Sequence, residues 1–263
     1  MIHYPQIDPV ALSIGPISIY WYGLTYVGGL IFAWWLGKQR AQLAQSPVSE
    51  EQIDDLIFYA ALGIVAGGRV GYALFYGAGS LWDDPLRVFR LWEGGMAFHG
   101  GFLGVVIAMW LFSRHQKIAF GALVDFIAPL APVGLALGRI GNFINQELWG
   151  RPADVPWAMV FPGDPLGLAR HPSQLYQFAM EGVLLFFVLF WYTRSPRPQW
   201  SAAGLFLLGY GLFRSFAEFF REPDAHIGFD ALGWMTRGQL LSLPMIAIGA
   251  AIMIWAYRRD AKK

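Results

Sequence analysis

Long apolar stretches recur along this chain, each of about the length that crosses a bilayer. They lie at residues 17–37, 54–76, 96–113, 120–138, 174–193, 202–220 and 238–257. An α-helix rises about 1.5 Å per residue, so ~20 apolar residues cover a hydrocarbon core of ~30 Å. The runs are too long for strands and lack period-two alternation. Of the 263 residues, 56% are hydrophobic and only 14% charged, where a soluble domain is nearer ~25% charged. The expected fold is an all-α integral membrane protein with seven transmembrane helices, a single polytopic domain over residues 1–263.

Lysine and arginine set the expected orientation. Residues 1–16 contain neither, and the chain ends Arg258-Arg259-Asp260-Ala261-Lys262-Lys263. With an odd number of crossings, the N-terminus is expected outside and the C-terminus in the cytoplasm. Short loops with Lys38 and Arg40, Arg114 and Lys117, and Arg194 and Arg197 then also face inward. Longer outer loops carry Trp82, Trp92, Trp149, Trp157 and Trp234, which suit an interfacial aromatic belt. The longest holds Pro152, Pro156, Pro162, Pro165 and Pro172. That proline density breaks helices, so a small irregular extracytoplasmic cap is expected over residues 139–173, between the fourth and fifth spans.

Several function classes fall away. A net charge of +1 gives no basic field for nucleic acid. The absence of cysteine excludes disulfides, thiolate metal sites and a cysteine nucleophile. A secretory signal needs a positive stretch before its apolar segment, so the first apolar segment is expected to be kept as a membrane helix. No internal repeat is visible, which weakens a transporter of duplicated halves.

Polar groups at membrane depth are costly and call for partners. Arg69 stands in Gly67-Gly68-Arg69-Val70-Gly71-Tyr72, where Gly63, Gly67 and Gly71 are spaced to let another helix come close. It is read either as snorkelling from a packing helix or as a direct participant. His99, beside Gly100 and Gly101, opens the third span; it is either a structural hydrogen-bonding residue or a proton carrier near neutrality. In Gly138-Arg139-Ile140-Gly141-Asn142-Phe143-Ile144-Asn145-Gln146-Glu147, a continuing helix would set Arg139, Asn142 and Gln146 on one face, with Asn145 and Glu147 farther round. A self-capped helix end would not need all these groups together, which favours anion binding. Tyr210, Arg214 and Glu218 form a stripe at spacings of four. An internal Arg–Glu pair would explain it, yet such an Arg keeps donors free for a phosphate. Asp125 and Glu181 are read as structural contacts. Two arginines, a histidine and several amides in one outward-facing cavity suggest chemistry on a lipid headgroup.

These residues also carry a family resemblance. The run Gly138, Arg139, Gly141, Asn142, Phe143, Asn145, Glu147, Gly150 resembles the signature of the prolipoprotein diacylglyceryl transferases. Similarity extends through Ile14-Gly15-Pro16, Trp21-Tyr22-Gly23, Gly67-Gly68-Arg69, Phe98-His99-Gly100-Gly101, Arg170-His171-Pro172-Ser173-Gln174-Leu175-Tyr176, Tyr210-Gly211 with Arg214 and Glu218-Phe219, and Arg221 with Pro223-Asp224. The resemblance implies a bacterial inner-membrane enzyme that moves the diacylglyceryl group of phosphatidylglycerol onto the lipobox cysteine of preprolipoproteins. It maps catalytic importance onto His99, Arg139 and Arg214. It places Tyr22, Asn142, Glu147, Tyr210 and Glu218 in the active cavity.

In this reading Arg139 holds the departing phosphate, aided by Asn142. Arg69 joins the substrate-binding set. Glu147 and Glu218 orient arginines, and Tyr22 and Tyr210 donate hydrogen bonds. A free thiol ionises near ~8.5 and needs help; His99 is the candidate base, with Arg214 the alternative activator. No metal or cofactor is expected. The expected partners are phosphatidylglycerol, preprolipoprotein signal peptides and membrane lipids. The rival outside enzymology is a membrane anion channel or carrier that passes an anion along the same arginines. An intramembrane protease lacks its Gly-x-Ser-Gly, paired-aspartate or His-Glu-x-x-His signature here.

Overall fold

A computed structural model describes residues 2–75, 84–90, 94–223 and 233–262. Trp82, Trp92 and Asp224 lie outside the described residues. The helices are α1 (Trp21–Ala41), α2 (Gln52–Phe75), α3 (Phe98–His115), α4 (Phe120–Ile127), α5 (Ala131–Ile144), α6 (Ser173–Tyr192), α7 (Ser201–Ala217) and α8 (Arg237–Asp260). Each of the seven apolar segments therefore contains helix. By length and composition α2, α6 and α8 can cross a membrane, and α4 with α5, bent by 47°, pass as a fourth candidate. The helices, α7 included, expose large apolar side chains such as Phe58, Leu62, Leu212, Phe216, Leu241 and Ile248. Lipid tails cover such faces without cost. The protein is a largely helical membrane protein.

Three expectations are corrected. Residues 17–20 are not helical: Val10–Ile14 (β2) and Ile17–Tyr20 (β3) form an antiparallel hairpin. Ile17-Ser18-Ile19-Tyr20 alternates with period two, and Gly15 at φ +59° supplies the turn. Short strands also tie the N-terminus to the segment between α5 and residue 172, Ile2–His3 (β1) pairing with Met159–Val160 (β4), which pairs with Ala169–Arg170 (β5). The fourth segment does not stop at residue 138: it bends where Pro129 interrupts it, then continues as α5 to Ile144. Residues 139–144, expected at the start of the cap, are helical.

The chain divides into two compact units, Met1–Ala33 with Asp125–Lys263, and Trp34–Val124. In the second unit, α2 and α3 meet through glycines. A Cβ on Gly67 would stand 2.4 Å from Gly100 O and 2.7 Å from Gly104 Cα. One on Gly71 would stand 2.6 Å from Gly100 Cα. The spacing of four at Gly63, Gly67 and Gly71 thus makes a backbone-to-backbone seam.

In the first unit, Ala128, Leu185, Leu189 and Ala202 form a buried cluster, with Tyr210 and Phe213 against it. Asp125 accepts from the backbone N–H of Trp200 and, at 2.8 Å, of Ala203, capping the start of α7 from another helix. Thr236 and Gln239 form a capping box at the start of α8. Within α6, Phe178–Leu184 is π-helical. There Gly182 lies so close to α5 that a Cβ would stand 2.8 Å from Ala136 Cα.

Candidate active site

Helix α5 carries Arg139 and Asn142 in its last two turns. Arg139 Nη1 donates to Asn142 Oδ1 at 3.4 Å. Asn142 Nδ2 donates to Glu147 Oε1 at 2.8 Å. The helix ends first, with Asn145 at its C-cap. Gln146 and Leu148 then take left-handed conformations, at φ +55° and +60°. Such non-glycine conformations cost about 1–3 kcal/mol each and persist only where the surroundings enforce them. Here they swing Glu147 back onto Asn142. Gln146 does not share the face of Arg139 and Asn142, as a longer helix would require; its Oε1 instead accepts from Gly163 N at 3.0 Å.

The second arginine is joined to the first through a glutamate. Arg139 Nη2 lies 3.1 Å from Glu181 Oε2, and Arg214 Nη1 lies 3.5 Å from Glu181 Oε1. Arg214 Nη2 then meets Glu218 Oε1 at 2.5 Å, and Arg221 Nη1 meets the same oxygen at 3.3 Å. Thr236 Oγ1 donates to Glu218 Oε2 at 2.7 Å. The outcome is an alternating row: Arg139, Glu181, Arg214, Glu218, Arg221. Both glutamates are fully buried, whereas the Arg139 and Arg214 side chains keep 18% and 15% exposure. Removing one partner of a buried pair costs about 3–5 kcal/mol, because a lone charge stays behind. Arg214 Nη1 is itself buried beside Glu181 Oε1.

Tyrosines line this row. Tyr210 sits one turn before Arg214, its ring stacked at 6.0 Å on Phe206. Tyr22 packs on the signature helix, since a Cβ on Gly141 would lie 2.7 Å from its ring. Its hydroxyl is 3.2 Å from that of Tyr26.

The two longest motifs brace one another. Ser173 Oγ donates to Leu148 O and Gln174 Nε2 to Glu147 O, both at 2.7 Å. Gly150 fits where a Cβ would stand 2.5 Å from His171 O and from Phe220 O. Arg170 grips Asp164 through Nε at 2.7 Å and Nη2 at 3.1 Å, and also reaches Glu222 at 3.3 Å. That guanidinium holds the Asp164 carboxyl below its usual range. Trp157 Nε1 donates to the Tyr176 hydroxyl at 2.7 Å, and that hydroxyl lies 2.9 Å from His171 Nδ1. Burial pushes the His171 imidazole below its ordinary 6.5.

His99 and Arg69 belong to the second unit. His99 is exposed in the first turn of α3, its ring 5.7 Å from that of Phe98. Arg69 is buried and does not snorkel. It donates to Val88 O at 3.1 Å, Arg90 O at 2.6 Å, Gly95 O at 3.2 Å and also to Gly94 O. It thereby ties the described parts of the segment before α3 to α2. Among the described residues, no three His, Asp or Glu side chains are grouped as metal ligands would be.

The sequence alone reads Glu181 as a structural contact and assigns Thr236 no role. The sequence signal for Glu181 is a lone acid inside an apolar span two turns below Ser173-Gln174. Nothing local to it names its partners.

A family model for prolipoprotein diacylglyceryl transferase matches residues 9–255. A relative from Azotobacter vinelandii is 55% identical over 262 residues, all of this chain and 99% of its own length. One from Teredinibacter turnerae is 56% identical over 271 residues, covering 99% of this chain and 94% of its own. One from Pseudomonas aeruginosa is 55% identical over 262 residues, covering 99% and 98%. All three are named phosphatidylglycerol–prolipoprotein diacylglyceryl transferase. With its signature arginine, carboxamide and glutamate joined in one hydrogen-bonded row, this chain belongs to the prolipoprotein diacylglyceryl transferase family.

Proposed function

We propose that this protein transfers the diacylglyceryl group of phosphatidylglycerol to the lipobox cysteine of preprolipoproteins. The thiol gives up its proton and the sulfur attacks the glycerol carbon that bears the phosphate. A C–S bond forms, the C–O bond to phosphate breaks, and the electron pair leaves on the phosphate oxygen. The products are the thioether and glycerol phosphate. The observation that carries this reading is the Arg139–Glu181–Arg214–Glu218 row, in which two part-exposed guanidiniums are held by two fully buried carboxylates. A phosphodiester carries one negative charge, and Arg is suited to hold it by paired hydrogen bonds.

Arg139 holds the phosphate and stabilises the charge that grows on it, with Asn142 as a further donor. Glu147 fixes Asn142 from the other side. Arg214, held by Glu181 and Glu218, turns its exposed part to the phosphate. Tyr22 and Tyr210 supply hydroxyl donors. His99 takes the thiol proton, a role open to an imidazole near neutral pH. Arg69 acts through the loop it ties down. In this reading all seven apolar segments cross the bacterial inner membrane, the cap is extracytoplasmic, and the Arg258-Arg259 tail is cytoplasmic.

One incubation tests it. Purified protein, phosphatidylglycerol vesicles and a lipobox peptide are mixed and analysed by mass spectrometry. The expected result is a peptide heavier by one diacylglyceryl unit and an equal amount of glycerol phosphate. An unmodified peptide, with anion flux across the vesicles instead, would establish a carrier.

A further inference from the structure

We infer that Glu181 is a positioning residue for the transfer, setting the separation and facing of Arg139 and Arg214 so that both converge on one phosphate. The inference rests on the transferase reading above. Each oxygen of this carboxylate serves a different arginine, at 3.1 Å for Arg139 and 3.5 Å for Arg214. It has no exposed surface, so no solvent competes for it. Two guanidiniums close enough to share a phosphate repel one another, and a buried carboxylate between them cancels that repulsion.

The chain goes to structural lengths to put this carboxylate there. It lies within the π-helical Phe178–Leu184, a geometry that changes the register of a helix face and often marks functional positions. The next residue, Gly182, allows α6 to touch the α5 backbone at Ala136, one turn before Arg139. Glu218 does not duplicate the role, being shared among Arg214, Arg221 and Thr236 with no bond to Arg139.

As the C–O bond breaks, charge accumulates on the phosphate. Misaimed donors then weaken the transition state more than the bound lipid. Glu181→Gln keeps the shape but cannot accept ionic bonds from both arginines. With phosphatidylglycerol in mixed micelles and a lipobox peptide, its kcat per folded molecule is expected to fall about 100-fold. Its KM for phosphatidylglycerol should stay within about threefold of wild type. Folded protein is counted by its monodisperse size-exclusion peak. Unchanged kcat per folded molecule, whether KM rises or not, overturns the inference. If Glu181→Gln does not fold, Glu181→Asp decides: it keeps the charge but is too short to span both arginines, and wild-type kcat there overturns the inference. An inactive wild type would overturn the transferase reading and this inference together, whereas an active wild type with an equally active variant overturns only this one.

Discussion

Arg139 Nη2 and Glu181 Oε2 lie 3.1 Å apart, joining helices α5 and α6 at a point where the carboxylate has no exposed surface. The arginine keeps part of its surface open. A pair built this way is oriented by protein on one side and free to meet a ligand on the other. The same relation recurs at Arg214 and Glu218, and Glu181 links the two pairs by also reaching Arg214 at 3.5 Å. Substitutions beside these pairs therefore test the site without removing its charges.

Gly238→Ala is such a substitution. The added Cβ would stand 2.5 Å from Glu218 Cδ and 2.7 Å from its Oε1. The carboxylate has to move off Arg214 or Thr236. The capping box at Thr236 keeps the helix start, and alanine suits a helix better than glycine. Transfer is expected to fall about 10- to 100-fold, with a lowered thermal midpoint because a fully buried carboxylate loses part of its pairing. Full activity in this variant would show that the placement of Glu218 does not matter.

Gly182→Ala forces α5 and α6 apart, since its Cβ would stand 2.3 Å from Ala136 Cβ and 2.8 Å from its Cα. Overpacking of this kind costs about 1–3 kcal/mol. A lower unfolding midpoint, together with weakened transfer, is the expected outcome by differential scanning fluorimetry and the peptide assay. An unshifted midpoint would mean that the helices part without cost.

His99→Asn removes the proposed proton acceptor while leaving a polar side chain of similar reach. Turnover is expected to drop about 100-fold or more at neutral pH. Raising the pH, which ionises the peptide thiol without help, should recover part of the loss. Normal turnover at neutral pH would remove His99 as the base.

The cap should weaken in mild acid. The folded pKa of His171 lies below 6.5, so the folded state favours the neutral imidazole. Its contribution is complete above that value and is lost as pH falls through the folded pKa. Asp164, held low by Arg170, is lost only in stronger acid and does not confuse the window. Between about pH 8 and pH 5 the unfolding midpoint is expected to fall, and His171→Gln to flatten that slope. An equal slope in the variant would assign the effect elsewhere.

Arg139 and Asn142 were legible because both fall within a helix, where a spacing of three makes neighbours. The Gly63, Gly67 and Gly71 seam was legible for the same reason. Glu147 was not, because its return to Asn142 depends on left-handed residues at Gln146 and Leu148, which propensity does not announce. Glu181 was hidden more deeply. Its partners lie on other helices, reached through a π-helical stretch and a glycine contact that no local pattern encodes. The hairpin at residues 10–20 was written in plain alternation around Gly15-Pro16, but a hydropathy window reads Ile17 to Tyr20 as the start of a span.

The central claim is that a guanidinium fork at Arg139 holds the lipid phosphate while sulfur displaces it. Single-turnover transfer by Arg139→Lys, set beside wild type and Arg139→Ala, tests it most directly. Lysine keeps the charge but loses the paired donors. The lysine and alanine variants should both stay folded and both lose at least about 100-fold in rate. A lysine variant that forms diacylglyceryl peptide at the wild-type rate would contradict the account, since charge alone would then suffice.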